Sequence, residues 1–354
     1  MNYKKEGFRF EVLTENNKNT WLDIAKKCSY APVNALDEFF LDEQLENNCA
    51  DGNAIIYERE NNIPIALFPG VVEKRKRGLI TLKILRSRFG GLLIDDNYSK
   101  DVLVIKNFVF RQIINKYYAS KLRIDLVEVE LPPKIIIDSP LIAFKIVPFY
   151  WSNVEVNSIL YLKIDNDILG KLKPTVKREV KAGLENIKKA QIQIVNRDDK
   201  NMLDYLIKLN KYNAAPFKPV PVIENYFKRI LKSPYYHTSV ILLDGEPIAG
   251  VIYTLSNGIG TYRFNSSNKI GKNFFMNKAL LYLMIEDLRS KGATYFVLGL
   301  GLEYDKEYES LDNLNYFKRS FSSHEVSYFR FRRALTFKAH LVEFFKHWRA
   351  KDLL

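Results

Sequence analysis

Three stretches of the chain hold residue types at spacings that could do chemistry. The first is Lys318, flanked by Phe317 and Phe321 in NYFKRSFSS (315–323). A lysine held between two aromatic side chains can be fixed with its ammonium aimed at an anion or a developing oxyanion. The other reading is a surface lysine whose aromatic neighbours pack in a core. The second stretch is GLEYDKEYE (301–309), where Glu303, Tyr304 and Asp305, with His324 further on, are the acid–base candidates. Its five charged residues also suit an ordinary solvated loop. The third is NKIGKNFFMNK (268–278), in which Lys269, Gly271, Lys272 and Lys278 surround the start of a helix. The free N–H groups of a helix start are a ready anion site. The same residues also describe a plain basic loop. On the strand just upstream, Arg263 and Asn265 alternate with Tyr262 and Phe264, which places the two polar side chains on one face, toward a ligand or toward solvent.

These residues need a scaffold, and the chain is long enough for two domains at 354 residues. Residues 8–13 alternate like a first strand, and 19–28 read as a helix capped by Asn19, with Trp21, Ile24 and Ala25 on one face. A helix over 35–46 follows, then strands at 53–59, 63–72, 79–85 and 91–94. A long helix spans 99–121, with Val102, Ile105, Val109, Ile113 and Tyr117 in period, before a strand at 123–130. The second half runs in a similar order. A strand at 158–164 precedes a basic helix at 170–189, a strand at 191–195 and helices near 198–213 and 223–232. Residues 236–267 read as three strands joined at Asp244-Gly245 and Asn257-Gly258. A helix at 276–291 ended by Gly292, a strand at 294–301 and a basic tail complete the chain.

Composition excludes several classes. Cys28 and Cys49 are the only cysteines, which argues against a disulfide framework or a cysteine-based zinc site. The four histidines form no metal-binding spacing, and His237, following Tyr235-Tyr236 at a strand start, is expected to be structural. The first residues do not resemble a signal peptide, and no apolar run is long enough to span a bilayer. A soluble cytoplasmic protein is expected. The net charge is +13, which points to an anionic partner. The charge is local: residues 74–88 carry +7, residues 171–189 carry +5 and residues 330–352 carry +5, leaving −4 elsewhere. Lysines in the first cluster also suit a protected strand edge. In the third, Leu335, Leu341, Val342, Phe345 and Trp348 can share a helix face, to lie on an anionic membrane or to pack on the second domain.

Several of these stretches resemble the Fem-type peptidoglycan bridge aminoacyltransferases and their acetyltransferase-like relatives. The resemblance rests on the basic helix LKPTVKREVKAGLENIKKAQIQI (172–194), on GEPIAGVIYTLSNGIGTYRFNSS with the helix after it, and on GATYFVLGLG followed by NYFKRSFSS. In the first half, SRFGGLLID (87–95) is similar to a Gly-Gly turn of that group. Ser322 stands where the family usually has glycine, Gly183 interrupts the basic helix, and no coiled-coil arm is present.

The resemblance implies an α/β (α+β) fold of two tandem GNAT-like domains, each a mixed, mainly antiparallel sheet flanked by helices. Residues 1–155 would be the acceptor side, 156–330 the donor and catalytic side, and 331–354 a basic C-terminal helix. It implies an N-acyltransferase that uses acyl-CoA on the amine of an envelope sugar, glycan or peptide precursor. An aminoacyl-tRNA donor is the alternative, and a non-catalytic nucleic-acid or membrane-surface binding protein is a reading of another class. Neither a tightly bound cofactor nor a metal is expected. The expected partners are a phosphate-bearing or lipid-linked glycan substrate, an anionic membrane at the inner face, and tRNA, but not DNA. Lys318, Glu303 and Asp305 would be catalytic. Arg263, Asn265, Lys269, Gly271, Lys272 and Lys278 would hold the donor. Lys177, Arg178, Lys181, Tyr30 and Phe317 would hold the acceptor, although Trp21, Tyr30 and Pro32 also read as first-domain core.

Overall fold

The computed structural model describes residues 7–47, 49–77, 79–87, 90–138, 147, 153–189, 191–212, 220–301, 316–321 and 323–351. The chain divides into two compact units, Met1–Val156 with Tyr328–Leu354, and Asn157–Ser327.

The first unit holds strands β1 (Phe8–Val12), β2 (Ala54–Glu58), β3 (Pro64–Phe68), β4 (Val71–Arg77), β5 (Ile80–Ser87), β6 (Leu93–Ile94) and β7 (Leu126–Glu130). They form two groups rather than one sheet. β1, β2, β3 and β6 pair antiparallel in that order. β4 pairs antiparallel with β5, and β5 runs parallel to β7. The chain passes from one group to the other at Pro69-Gly70, where proline lacks the N–H that a continuing ladder would need. The first helix, Lys18–Lys27, starts one residue before the expected cap Asn19 and buries Trp21, Leu22, Ile24 and Ala25. The expected 99–121 helix is α-helical only over Val102–Phe108 and continues as a π-helix over Val109–Lys121. The wider turn advances the buried position from Tyr117 to Tyr118, whose hydroxyl donates to the Gly52 carbonyl at 2.6 Å.

The second unit follows the strand, helix, strand order read from the sequence. β8 (Asn153–Lys163, entering this unit at residue 157) leads to the helix Pro174–Ile187, β9 (Ile192–Asn196), and the helices Met202–Asn210 and Val220–Lys232. β10 (Tyr236–Leu243), β11 (Glu246–Ser256) and β12 (Ile259–Ser267) form an antiparallel meander. The helix Met276–Ser290 then leads to β13 (Tyr295–Gly301), which runs parallel to β12 and antiparallel to β8. The α/β class of mixed, mainly antiparallel sheets flanked by helices is thus present. Gly183 has a packing role: a Cβ there would come within 2.8 Å of both Ala279 Cβ and the Phe275 carbonyl. Glycine lets the basic helix cross Met276–Ser290 at close range.

The last strand, β14 (His324–Ala334), corrects the expected helix over 331–354. Its Phe329/Phe331 and Arg330/Arg332 alternation is a period of two, and the helix begins only at Phe337. That helix packs within the first unit, where Ala339 and Val342 meet Leu82, Ile84 and Leu126. Beside this apolar contact lies a buried row of charge. β14 pairs with β7 so that Arg332 faces Glu128 and Arg330 faces Glu130, while Arg86 on β5 faces Glu128 from the other side. Arg86 and Arg332 lie 2.9 Å and 2.8 Å from Glu128, and Glu155 bridges Arg330 and Arg332 at 3.0 Å and 2.7 Å. Three arginines from the two terminal basic clusters are therefore neutralised inside the protein.

Candidate functional site

The second unit brings its chemistry together where β12 and β13 separate. Their parallel pairing covers only Ile259–Thr261 against Tyr295–Val297. Beyond it, β13 bulges: Val297 faces Tyr161 and Gly299 faces Leu160, so Leu298 is the extra residue. Gly299 sits at φ +103°, a conformation that L side chains rarely adopt. The LGLG sequence holds this signal, a glycine inside a strand, but the expectation stopped at a strand ending in glycines.

Lys318 reaches this point from a helical stretch at residues 316–320. It is only 6% exposed, so it is not a surface lysine. Phe321 is fully buried in the core of the second unit, Phe317 packs beside it, and their rings meet edge-on at 5.5 Å. The Lys318 Nζ stands 5.8 Å from the Tyr262 ring centroid and would lie 3.2 Å from a Cβ on Gly299. Glycine thus leaves the ammonium room at the bulge. No described residue gives Lys318 a carboxylate or other acceptor. Burial alone pushes its pKa down to about 8, and pushes the Tyr262 phenol well up.

Around this centre the expected donor residues divide. Tyr262 faces Tyr253 and Phe264 faces Ile252, which leaves Arg263 as an unpaired bulge residue. The bulge breaks the alternation and corrects the expectation that Arg263 and Asn265 share a face. Asn265 lies on the Tyr262 side and donates to the Asn277 carbonyl at 3.2 Å, tying β12 to the start of Met276–Ser290. Arg263 acts on the Tyr226 phenol of the helix Val220–Lys232, and Phe264 contacts Phe227 of that helix. The Arg263 Nε is buried without a hydrogen-bond partner.

Gly271 is occupied otherwise than expected. Its N–H donates to the Asn268 side chain at 2.8 Å, and a Cβ on it would meet the Ile248 carbonyl at 2.2 Å. It packs a short turn on β11. Lys269 and Lys272 are exposed, and Lys278 is ion-paired to Glu179 of the basic helix. The helix Met276–Ser290 itself begins without a side-chain cap, at Phe275 in the left-handed conformation (φ 57°). The Lys278 N–H donates to the Phe275 carbonyl at 3.1 Å and to the Asn277 side chain at 3.0 Å, so only the Met276 and Asn277 N–H groups have no acceptor among the described residues.

On the basic helix, Val176, Val180 and Gly183 face inward, Arg178 and Lys181 outward, and Lys177 is half-buried at the flank. Tyr30 belongs to the first unit's own packing. Its hydroxyl donates to the Leu92 carbonyl at 2.9 Å and accepts from the Ile94 N–H at 3.1 Å, which uses both of its hydrogen-bonding roles within the unit. Glu303, Tyr304, Asp305 and Ser322 lie outside the described residues. His324 is exposed, its ring 5.6 Å from Tyr161. His237 stacks on Tyr253 at 5.0 Å in a separate groove of about 460 Å³, where burial, and then the Lys291 charge, lower its pKa. Among the described residues, no group of three potential ligands is placed to hold a metal, and no helix is long and apolar enough to cross a membrane.

No protein-family model matches this sequence, and no curated protein matches it. Solved structures do match in shape. FemX aligns with a TM-score of 0.62 at 11% identity over 91% of this chain and 96% of its own. L-PGS from Bacillus licheniformis aligns with a TM-score of 0.51 at 13% identity, covering 96% and 98%. The C-terminal domain of a putative lysylphosphatidylglycerol synthetase from Agrobacterium fabrum aligns at 0.50 and 12%, covering 89% and 90%. The chain thus has the Fem-type fold that its sequence resembled.

Proposed function

We propose that the second unit is the catalytic half of an N-acyltransferase that transfers an acyl group from acyl-CoA to a primary amine. The observation that carries this reading is Lys318, a buried ammonium to which no described residue offers a counter-ion, at the point where two parallel strands part. A charge so placed favours an anion that arrives with the substrate or forms during the reaction.

In this reading the thioester lies between β12 and β13, with its carbonyl oxygen near Gly299 and Lys318. The amine attacks the carbonyl carbon, a C–N bond forms, and the π pair moves onto oxygen. With its pKa near 8, Lys318 is mainly a cation at neutral pH and stabilises that oxyanion. Collapse breaks the C–S bond and expels the thiolate. The proton of the amine passes to solvent or to a carboxylate, for which Glu303 and Asp305 are proposed. The uncapped start of Met276–Ser290 is proposed to receive the donor's phosphates, with Asn265 holding that start in place. Across the bulge, Tyr262 and Asn265 face Tyr253 and Val251, two residues apart on β11, about 7 Å of strand. A donor with an extended arm between acyl group and phosphate suits that spacing, which favours acyl-CoA over aminoacyl-tRNA. The outward Arg178 and Lys181, with Lys177, are proposed to meet a phosphate-bearing envelope glycan or peptide precursor.

Thermal-shift measurements with acyl-CoAs, CoA and aminoacyl-tRNA test the donor. An acyl-CoA should raise the melting temperature by mass action. A shift with aminoacyl-tRNA alone, weakening steeply with salt, would replace the CoA reading with the tRNA one. Lys318→Met should keep CoA binding while lowering turnover on the order of 100-fold or more. Unchanged turnover would remove Lys318 from the mechanism.

A further inference from the structure

We propose that the first unit docks on an anionic lipid bilayer through the tip of the β4–β5 hairpin and the outer stripe of the C-terminal helix. Two apolar features project from it. Leu79, between the paired residues Arg77 and Ile80, is 100% exposed. On the helix Phe337–Lys351, Ala339 and Val342 form the inner face on β5. Phe337, Leu341 and Phe344 recur at i, i+4 and i+7 on the opposite face, where Phe337 is 81% and Phe344 64% exposed.

The two features lie at one end of the unit. Lys338, next to Phe337, donates to the Thr81 carbonyl at 3.2 Å, and Thr81 is two residues from Leu79. Lys338 also pairs with Asp125 at 2.8 Å, which anchors the start of the helix. Beside the tip, Lys74 and Lys76 are exposed and have no acidic partner among the described residues. They differ in this from Arg86, Arg330 and Arg332, whose charges are neutralised inside.

Isolated projecting apolar side chains beside uncompensated lysines match the chemistry of an anionic bilayer. The apolar groups enter the acyl boundary and the ammonium groups meet phosphate. A second copy of the chain fits less well, because a two-fold contact would bring the same lysines together.

The full chain is sedimented with phosphatidylcholine vesicles, with and without phosphatidylglycerol. Binding to the phosphatidylglycerol vesicles alone, weakened by salt, is expected. The double variant Lys74→Gln, Lys76→Gln should bind about 30-fold more weakly, from about fivefold per basic residue. The triple variant Leu79→Ser, Phe337→Ser, Phe344→Ser should lose binding and keep its circular dichroism and melting temperature, since the three side chains are exposed. The proposal is overturned if the parent stays in the supernatant, or if the triple variant binds as the parent does. It is also overturned if sedimentation velocity finds a dimer that the triple variant dissolves while the parent ignores vesicles. Turnover on a soluble acceptor should be unchanged in both variants, so this result stands apart from that of the acyl-transfer reading.

Discussion

Replacing Lys318 with methionine should stabilise the protein at neutral pH, and the gain should vanish in alkali. The Lys318 amine falls from the usual 10.5 to about 8 because it is buried, and no described residue offers it a carboxylate. At 1.36 kcal/mol for each tenfold change in proton affinity, the native state carries a penalty of about 3 kcal/mol. Below pH 8 both native and unfolded chains hold this proton, so the full penalty is present. Between pH 8 and 10.5 the native state releases the proton while the unfolded chain keeps it, so stability rises with pH. Above 10.5 both are neutral and the penalty is gone. Methionine has nearly the same length and no charge to desolvate. Urea denaturation of parent and Lys318→Met at intervals from pH 7 to 10.5 isolates the effect, since every other titration is common to both. Lys318→Met should be more stable by about 3 kcal/mol at pH 7, with the gap closing toward pH 10.5. A gap of constant size would refute the claim that an uncompensated ammonium is buried there, and so would a variant less stable than the parent at pH 7.

Glu128 lies between Arg86 and Arg332, whose charges hold its carboxyl below the usual range despite burial. Glu128→Ala should cost about 3–5 kcal/mol in urea denaturation, because two buried guanidiniums lose their shared partner. In the parent, this contribution should be lost as pH falls through and below the ordinary carboxylate range, read as a falling melting temperature that Glu128→Ala lacks. Gly183→Leu should cost about 1–3 kcal/mol or more by driving apart the helices that cross there, measured by thermal unfolding. Gly299→Ala must place a side chain at φ +103° and 3.2 Å from the Lys318 Nζ. It should cost about 1–3 kcal/mol in strain and lower turnover more than it changes donor affinity.

Much of the second unit was legible because its signals are local. The turns at Asp244-Gly245 and Asn257-Gly258 separate three strands at their observed places, and Gly292 ends the helix before β13. Apolar period and turn chemistry act over a few residues and need no partner to be read. The first unit was less legible. Its two strand groups depend on pairings between distant segments, and the π-helix at Val109–Lys121 departs from the period of 3.6. The alternation of Phe329, Arg330, Phe331 and Arg332 marks β14, but it runs into the expected apolar helix face of Leu335, Leu341, Val342 and Phe345, so the two periods overlap in the tail.

The candidate site divides along the same line. The sequence alone determined that Lys318 sits between two aromatics, that a glycine-bearing strand precedes it, and that the positive charge is gathered in three places. Only the tertiary structure decided that Lys318 is buried, with no carboxylate beside it among the described residues, because burial depends on what the rest of the chain places around it. Tertiary structure also separated Arg263 from Asn265, through one extra residue in β12 that alternation cannot foresee. It paired Lys278 with Glu179 and turned three arginines of the terminal clusters inward. Residue type sets which charges a chain carries. Which of them remain available to a ligand or a membrane depends on the acids and the apolar surface that folding brings beside each one.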